Sequence, residues 1–253
     1  MVAARFRIVG STKSGSALRS HVLGGRTTAS SIPQGRWATK TAELDGAAAA
    51  AAYGSFLNAD DLWIDSGAFG LFTLEARSMD PQQVFVLHVG YAALVARESD
   101  WADRETRRAD LLCCDVGVFV GVEPSGLVIA GSSTAFSATG AAASITSGRL
   151  SFALGLVGPC YTIDTACSSA LAALHVSKAA VISEGECGRA VAVGTKALSE
   201  AANYGTAVAG MTSVHGRCHT FDGRADGYCR GEGCVAFCVR QRSAPRARNE
   251  DDV

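Results

Sequence analysis

A layered α/β fold is predicted by three features of this 253-residue sequence. Short runs rich in β-formers recur at 116–122, 160–163, 190–196 and 234–239. Apolar stretches of helical length lie near 82–97, 140–154 and 168–183. The two kinds alternate along the chain, which is the order of helices packed on a sheet. Composition agrees, since 48% hydrophobic and 19% charged residues are ample for a buried core and exclude a disordered chain. The length suits one large domain or two small ones.

In chain order, Arg7-Ile8-Val9-Gly10-Ser11 has a strand-like start. The first forty-odd residues hold arginines, serines and threonines and no acid before Glu43, the composition of an organelle transit peptide. The alanine tract 46–52 is low in complexity and is expected as an insertion rather than a packed helix. Cys160-Tyr161-Thr162-Ile163, bounded by Gly158-Pro159, reads as a buried strand. The next apolar stretch reads as a helix of about four turns, stopping near Glu184-Gly185. Ser177-Lys178 interrupts it and it is short for a bilayer, so no membrane span is expected. A net charge of −1 gives no electrostatic case for nucleic acid or an anionic membrane.

Cys167 falls just past the 160–163 strand, in the first turn of the long helix. Unpaired N–H groups and the positive end of the helix dipole converge there, favouring a thiolate over a thiol. The same N–H groups can receive the oxyanion formed when a thiolate attacks a thioester carbonyl. Cys167 is therefore the candidate nucleophile, and its own backbone N–H a candidate oxyanion donor. The other cysteines carry weaker signals. Nine cysteines include no C-x-x-C pair, Cys113-Cys114 cannot close a disulfide of normal geometry, and Cys229, Cys234 and Cys238 read as packing residues. The odd, scattered count favours a reducing compartment. No metal site is expected. Gly231-Glu232-Gly233 is not a phosphate loop, because no lysine follows it. Asp222, Arg224, Asp226, Arg230 and Glu232 alternate in sign and are expected to pair as a structural network with Arg149 as a further member; surface pairs of this kind contribute about 0.2–1 kcal/mol each.

The segment Asp164-Thr165-Ala166-Cys167-Ser168-Ser169-Ala170-Leu171-Ala172-Ala173-Leu174-His175 closely resembles the active-site segment of the β-ketoacyl synthase family, in particular the ketosynthase domains of polyketide synthases. Met79-Asp80-Pro81-Gln82-Gln83 with Gly90-Tyr91-Ala92-Ala93-Leu94 resembles a helix of that family, and Gly117-Val118-Phe119-Val120-Gly121 a core strand. Blocks at 147–159 and 216–233 resemble, in the family's order, the turn before the nucleophile strand and the closing glycine-rich turn. The chain departs from the pattern in lacking a Cys-Arg-Phe-Pro-Gly run near its start and in carrying Ala170 where a third serine is usual.

The resemblance implies the N-terminal half of a thiolase-like layered fold, a mixed sheet with packed helices, over residues 1–240, with 241–253 a charged linker or truncated tail. It implies acyl transfer to Cys167 and then decarboxylative condensation, in polyketide or else fatty-acid synthesis, with Asp164, Thr165, Ser168, Ser169, Arg149, Asp222, Arg224 and Glu232 in supporting roles. The substrate would arrive as a phosphopantetheine thioester on acyl-carrier protein or coenzyme A, with no bound cofactor. The family's two histidines and lysine belong to a second half that is absent. His175 lies eight residues past Cys167, ~12 Å up a helix, His215 and His219 fall in a polar loop, and His21 and His88 in ordinary helices; none replaces them. The expected partners are acyl-carrier protein and a second copy or the missing C-terminal half, with 160–163 as the dimer strand. The alternative is a non-condensing truncated ketosynthase that binds acyl-carrier protein or pairs with a full-length synthase. Residues 18–37 already match family sequence, so a cytoplasmic location is expected, with a plastid as the alternative. A single sheet leaves the Cys167 helix under-covered, so an apolar patch of several hundred Å² is expected on its outer side.

Overall fold

Val116–Val122 reads Val-Gly-Val-Phe-Val-Gly-Val, and the period of two sorts its side chains onto two unlike faces. All seven residues are buried, so this strand is central. The computed structural model describes residues 3–8, 19–21, 23–24, 27–37, 46–58, 64–95, 108–127 and 134–241. In chain order its elements are β1 (Ala3–Ile8), β2 (Ser30–Ser31), α1 (Gly46–Ala51), β3 (Tyr53–Gly54), α2 (Thr73–Arg77) and α3 (Pro81–Phe85). A π turn at Val86–Gly90 carries α3 into α4 (Tyr91–Leu94). Then follow β4 (Val116–Val122), α5 (Ser137–Ala141), α6 (Ile145–Leu154), β5 (Cys160–Ile163), α7 (Ser169–Lys178), β6 (Arg189–Lys196), α8 (Glu200–Val208) and β7 (Gly233–Arg240). The main sheet has the order β1-β7-β6-β4-β5. β4 pairs in parallel with β5 and β6, and β7 pairs antiparallel with β6 and β1, which gives the expected mixed sheet. β2 and β3 form a separate two-stranded sheet.

The valines of β4 enter the larger core with Phe85, Leu87, Leu150 and Leu154. The opposite face is small: Phe119 meets Ala173, Ala180 and Val181, and glycines stand on either side of it. Helices α3, α4 and α6 thus cover one face of the sheet, and α7 covers the other. Asp80 caps α3 by accepting the Gln82 N–H at 2.7 Å, and Pro81 occupies the first helical position, where its missing N–H costs nothing. Gln83, fully buried, lies 3.0–3.3 Å through Nε2 from the carbonyls of Thr139, Gly140 and Ala142 and accepts the Arg149 Nε–H at 3.1 Å.

Several expectations are corrected. The stretch 140–154 is two helices, because the carbonyls of residues 139, 140 and 142 turn to Gln83 rather than along an axis. Residues 160–163 form a strand but an edge one, with Cys160 and Tyr161 exposed, since β5 pairs only with β4. The alanine tract is a packed helix: α1 lies against α8, Ala50 is buried, and Asn203 Nδ2 holds the carbonyls of Ala51 at 2.8 Å and Tyr53 at 3.3 Å. The helix after Cys167 stops at Ser183, as expected, but with its 3-10 and π ends the helical path 166–183 is long and apolar enough to cross a membrane by length and composition. Its Ser169, Ala173, Ser177 and Ala180 are nonetheless packed inward, two of them serines, which marks a layer helix of the sheet. The 241–253 tail lies outside the described residues except for Gln241.

The outer side of α7 is uncovered. Leu171 is 70% exposed, and Ile182, Tyr161 and Val157 are also exposed. The isolated chain should therefore bind an anilinonaphthalene sulfonate dye with a fluorescence rise at neutral pH. A dispersed monomer with no such rise would contradict an apolar outer face.

Candidate active site

The turn between β5 and α7 closes on itself through short side chains. Asp164 Oδ1 accepts the Ala166 N–H at 2.9 Å, and Ser169 Oγ accepts the Thr165 N–H at 2.8 Å while donating to Ala166 O at 2.7 Å. Ser168 Oγ lies 2.9 Å from both Thr165 O and Thr165 Oγ1. The Ser168 N–H goes to Thr165 O and the Ser169 N–H to Ala166 O. Of the N–H groups at 165–169, that of Cys167 alone has no partner among the described residues. Ala166 is held at φ +55°, a left-handed conformation that costs an alanine about 1–3 kcal/mol. Cys167 follows it in a 3-10 turn (Ala166–Ser168), one turn ahead of α7 rather than inside its first turn.

This turn sits low on the sheet because two glycines make room for it. Gly121 of β4 and Gly194 of β6 are register partners. A Cβ on Gly121 would stand 2.2 Å from Ser169 O, and one on Gly194 would stand 2.5 Å from the Ala170 Cβ. Neither contact is tolerable, so the pair forms a hollow that fixes the height of Cys167. Gly121→Ala should lift the turn by about an ångström and slow acylation of Cys167 by a thioester by about 10²-fold. An unchanged rate would remove these glycines from the site.

Cys167 is exposed and lines an open cleft of ≈ 790 Å³ whose walls include Glu123, Lys196, Met211, Tyr228 and Arg230. Lys196 Nζ pairs with Glu123 at 2.6 Å, and Arg230 lies 4.0 Å from the same carboxylate. Among the described residues no histidine lines the cleft. Among the described residues no group of His, Cys, Asp and Glu is arranged to hold a metal ion.

The supporting residues named from the sequence divide. Asp164, Thr165, Ser168 and Ser169 gather around Cys167, as above. The expected single charge network separates into independent units. Glu232 is buried and binds Arg36, the Leu57 N–H and the Leu198 N–H, the last two at 2.9 Å. Asp222 and Arg224 form an exposed two-pronged pair at 2.7 and 3.0 Å. Asp226 accepts the Val214 N–H at 3.2 Å. Arg149 belongs to none of these; it pairs with Glu75 and Gln83 on the other side of the sheet. The Arg224 guanidinium holds the Asp222 carboxyl at about 2, below its ordinary 3.8. Whatever the pair contributes to folding is present above the ordinary value and lost as pH falls through about 2. Titration followed by carboxyl-carbon NMR should place Asp222 there, and Arg224→Gln should return it toward its ordinary value.

The mixed sheet with helices packed on both faces places the chain in the thiolase-like class of fold. The chain belongs to the β-ketoacyl synthase family: the N-terminal domain of that family matches residues 2–244. The non-reducing polyketide synthase trt4 of Aspergillus terreus is 38% identical over 224 residues, 87% of this chain and 9% of that protein. The highly reducing polyketide synthase fogA of Aspergillus ruber is 38% identical over 197 residues, 76% of this chain and 8% of that protein. Among solved structures, the ketosynthase from module 6 of the bacillaene synthase of Bacillus subtilis 168 superposes with a TM-score of 0.78 at 25% identity, covering 95% of this chain and 39% of that one. The oxazolomycin ketosynthase domain of Streptomyces albus JA3453 gives 0.79 at 28% identity, covering 96% and 43%. The chain thus spans about a tenth of the curated relatives and about two-fifths of the solved ketosynthase chains.

Proposed function

We propose that this chain is the nucleophile-bearing part of a polyketide-type β-ketoacyl synthase, and that Cys167 accepts the acyl group. The thiolate of Cys167 attacks the thioester carbonyl, the carbonyl oxygen takes the negative charge, and collapse of that intermediate expels the phosphopantetheine thiolate. The observation that carries this reading is the unclaimed Cys167 N–H beside its own sulfur, at the edge of an open cleft, in a turn whose other N–H groups are all bonded. Such an N–H can receive the oxyanion.

Equal identity, 38%, to a non-reducing and to a highly reducing synthase supports the polyketide branch over fatty-acid synthesis and selects neither subtype. Decarboxylative condensation needs donors aimed at an enolate, and we assign these to the remainder of a complete ketosynthase. Acyl-carrier protein is the proposed donor of substrate, the uncovered side of α7 the surface met by that remainder, and the open edge of β5 the contact with a second copy. The proposed location is the cytoplasm.

The test is to incubate the chain with an acyl N-acetylcysteamine thioester and map the added mass. One acyl group on the tryptic peptide 150–178 is the expected result. Acylation spread evenly over the exposed cysteines would overturn the assignment.

A further inference from the structure

A pair of thiols lies beside the cleft, and acyl transfer makes no use of it. The loop from 211 to 229 folds back so that the Thr212 and Tyr228 backbones bridge, with Ser213 N–H on Tyr228 O and Tyr228 N–H on Met211 O, both at 3.1 Å. This return brings Cys229 onto Cys218, whose sulfur accepts the Cys229 N–H at 3.3 Å. That contact sets the Cys218 sulfur against the backbone of Cys229, although eleven positions separate the two in sequence. Between them the backbone is pinned, with His219 at φ +45° and Phe221 at φ +63°, both left-handed and neither glycine. Cys229 is flanked by Tyr228 and Arg230, which both line the cleft that contains Cys167.

We propose that Cys218 and Cys229 are an oxidisable pair, which a peroxide converts to a disulfide that closes the 218–229 loop at the wall of the active-site cleft. The two sulfurs differ in setting, and that assigns the order of events. Cys218 is exposed, whereas burial, and then the neighbouring Cys218, push the Cys229 thiol up. Cys218 as thiolate attacks a peroxide oxygen, the O–O bond breaks, and hydroxide leaves, giving a sulfenic acid. The sulfur of Cys229 then attacks the Cys218 sulfur, the S–O bond breaks, and water leaves as the Cys229 proton is taken up. In sum, two thiols lose two electrons and two protons, and one hydrogen peroxide becomes two waters. A thiol reductant reverses the bond by exchange.

The sequence provides a direct readout. Trypsin cleaves after Arg217, Arg224 and Arg230, so Cys218 and Cys229 fall in separate peptides, 218–224 and 225–230. The reduced chain is treated with a few equivalents of hydrogen peroxide, alkylated, and digested without reductant. The expected product is one linked species, lighter by two hydrogens than the two peptides together, which disappears with dithiothreitol. Cys218→Ser and Cys229→Ser should each abolish it, and Cys113→Ser should leave it in place. Recovery of the two peptides unlinked, or the same yield of the link from chain oxidised in 8 M urea, would overturn the proposal. The urea arm separates a pair preorganised by the fold from one formed by chance collision.

Discussion

Glu232→Ala should lower the unfolding free energy by about 3–5 kcal/mol, the cost of leaving a buried ion pair without one partner. The Glu232 side chain has no exposure, and its two oxygens hold Arg36, the Leu57 N–H and the Leu198 N–H. Three segments far apart in sequence meet on one carboxylate, just where β7 begins. Removing it leaves two buried backbone donors unmatched and a guanidinium with a buried Nε short of its counter-charge. Glutamine does not restore the site, because one of its two ends donates where all three partners already donate. Arg36→Gln is the milder change, since the arginine is partly exposed and Glu232 keeps both backbone donors. Urea unfolding should rank wild type above Arg36→Gln above Glu232→Ala, with unchanged slope. A loss below about 1 kcal/mol for Glu232→Ala would show that water replaces the carboxylate, and the hub would not be a hub. Against a total stability of about 5–15 kcal/mol, the expected loss is a large fraction.

That hub was visible in the sequence only as one of five alternating charges, because its partners lie at positions 36, 57 and 198. Local pattern identified what local physics decides. The strand runs at 116–122 and 160–163 match β4 and β5 to the residue, and 190–196 and 234–239 fall within one residue of β6 and β7 at either end. Period-two apolarity and β-branching suffice for that. Whether a strand is central or at an edge is a property of topology, and Cys160-Tyr161-Thr162-Ile163 has the same composition in either place. The alanine tract has high helix propensity but no apolar periodicity, and what holds it is Asn203, some 150 positions on. The turn chemistry of Asp164, Thr165, Ser168 and Ser169 was legible, being local. The Gly121–Gly194 hollow beneath it was not, since each glycine alone is an ordinary strand glycine and only the register of β4 with β6 joins them. Cys218 and Cys229 were hidden for the same reason, eleven positions apart in a loop whose return path only the fold defines.

Cys167→Ala should abolish acylation of the chain by an acyl thioester, and the informative comparison is with Cys160→Ala. Both thiols are exposed, both lie at the β5 end of the sheet, and both fall in the same tryptic peptide. If exposure alone governs reactivity, the two substitutions should remove similar shares of the label. If the elbow governs it, Cys160→Ala should keep essentially all of the label and Cys167→Ala essentially none. The physical difference is the surroundings of each sulfur. Cys160 sits on an extended edge strand, paired in register with Val118, and is not among the residues that line the cleft. Cys167 follows a left-handed alanine, precedes a long helix, lines the cleft, and has a free N–H of its own. Stabilisation of an oxyanion by one preorganised donor is worth about 10²–10³-fold in rate, so the gap between the two cysteines should reach that range. Iodoacetamide provides the control, since its reaction forms no oxyanion: the ratio of Cys167 to Cys160 rates should shrink when the thioester is exchanged for the alkylating agent. A ratio that stays constant across the two reagents would mean that Cys167 is merely a reactive thiol and that its N–H plays no part in the chemistry.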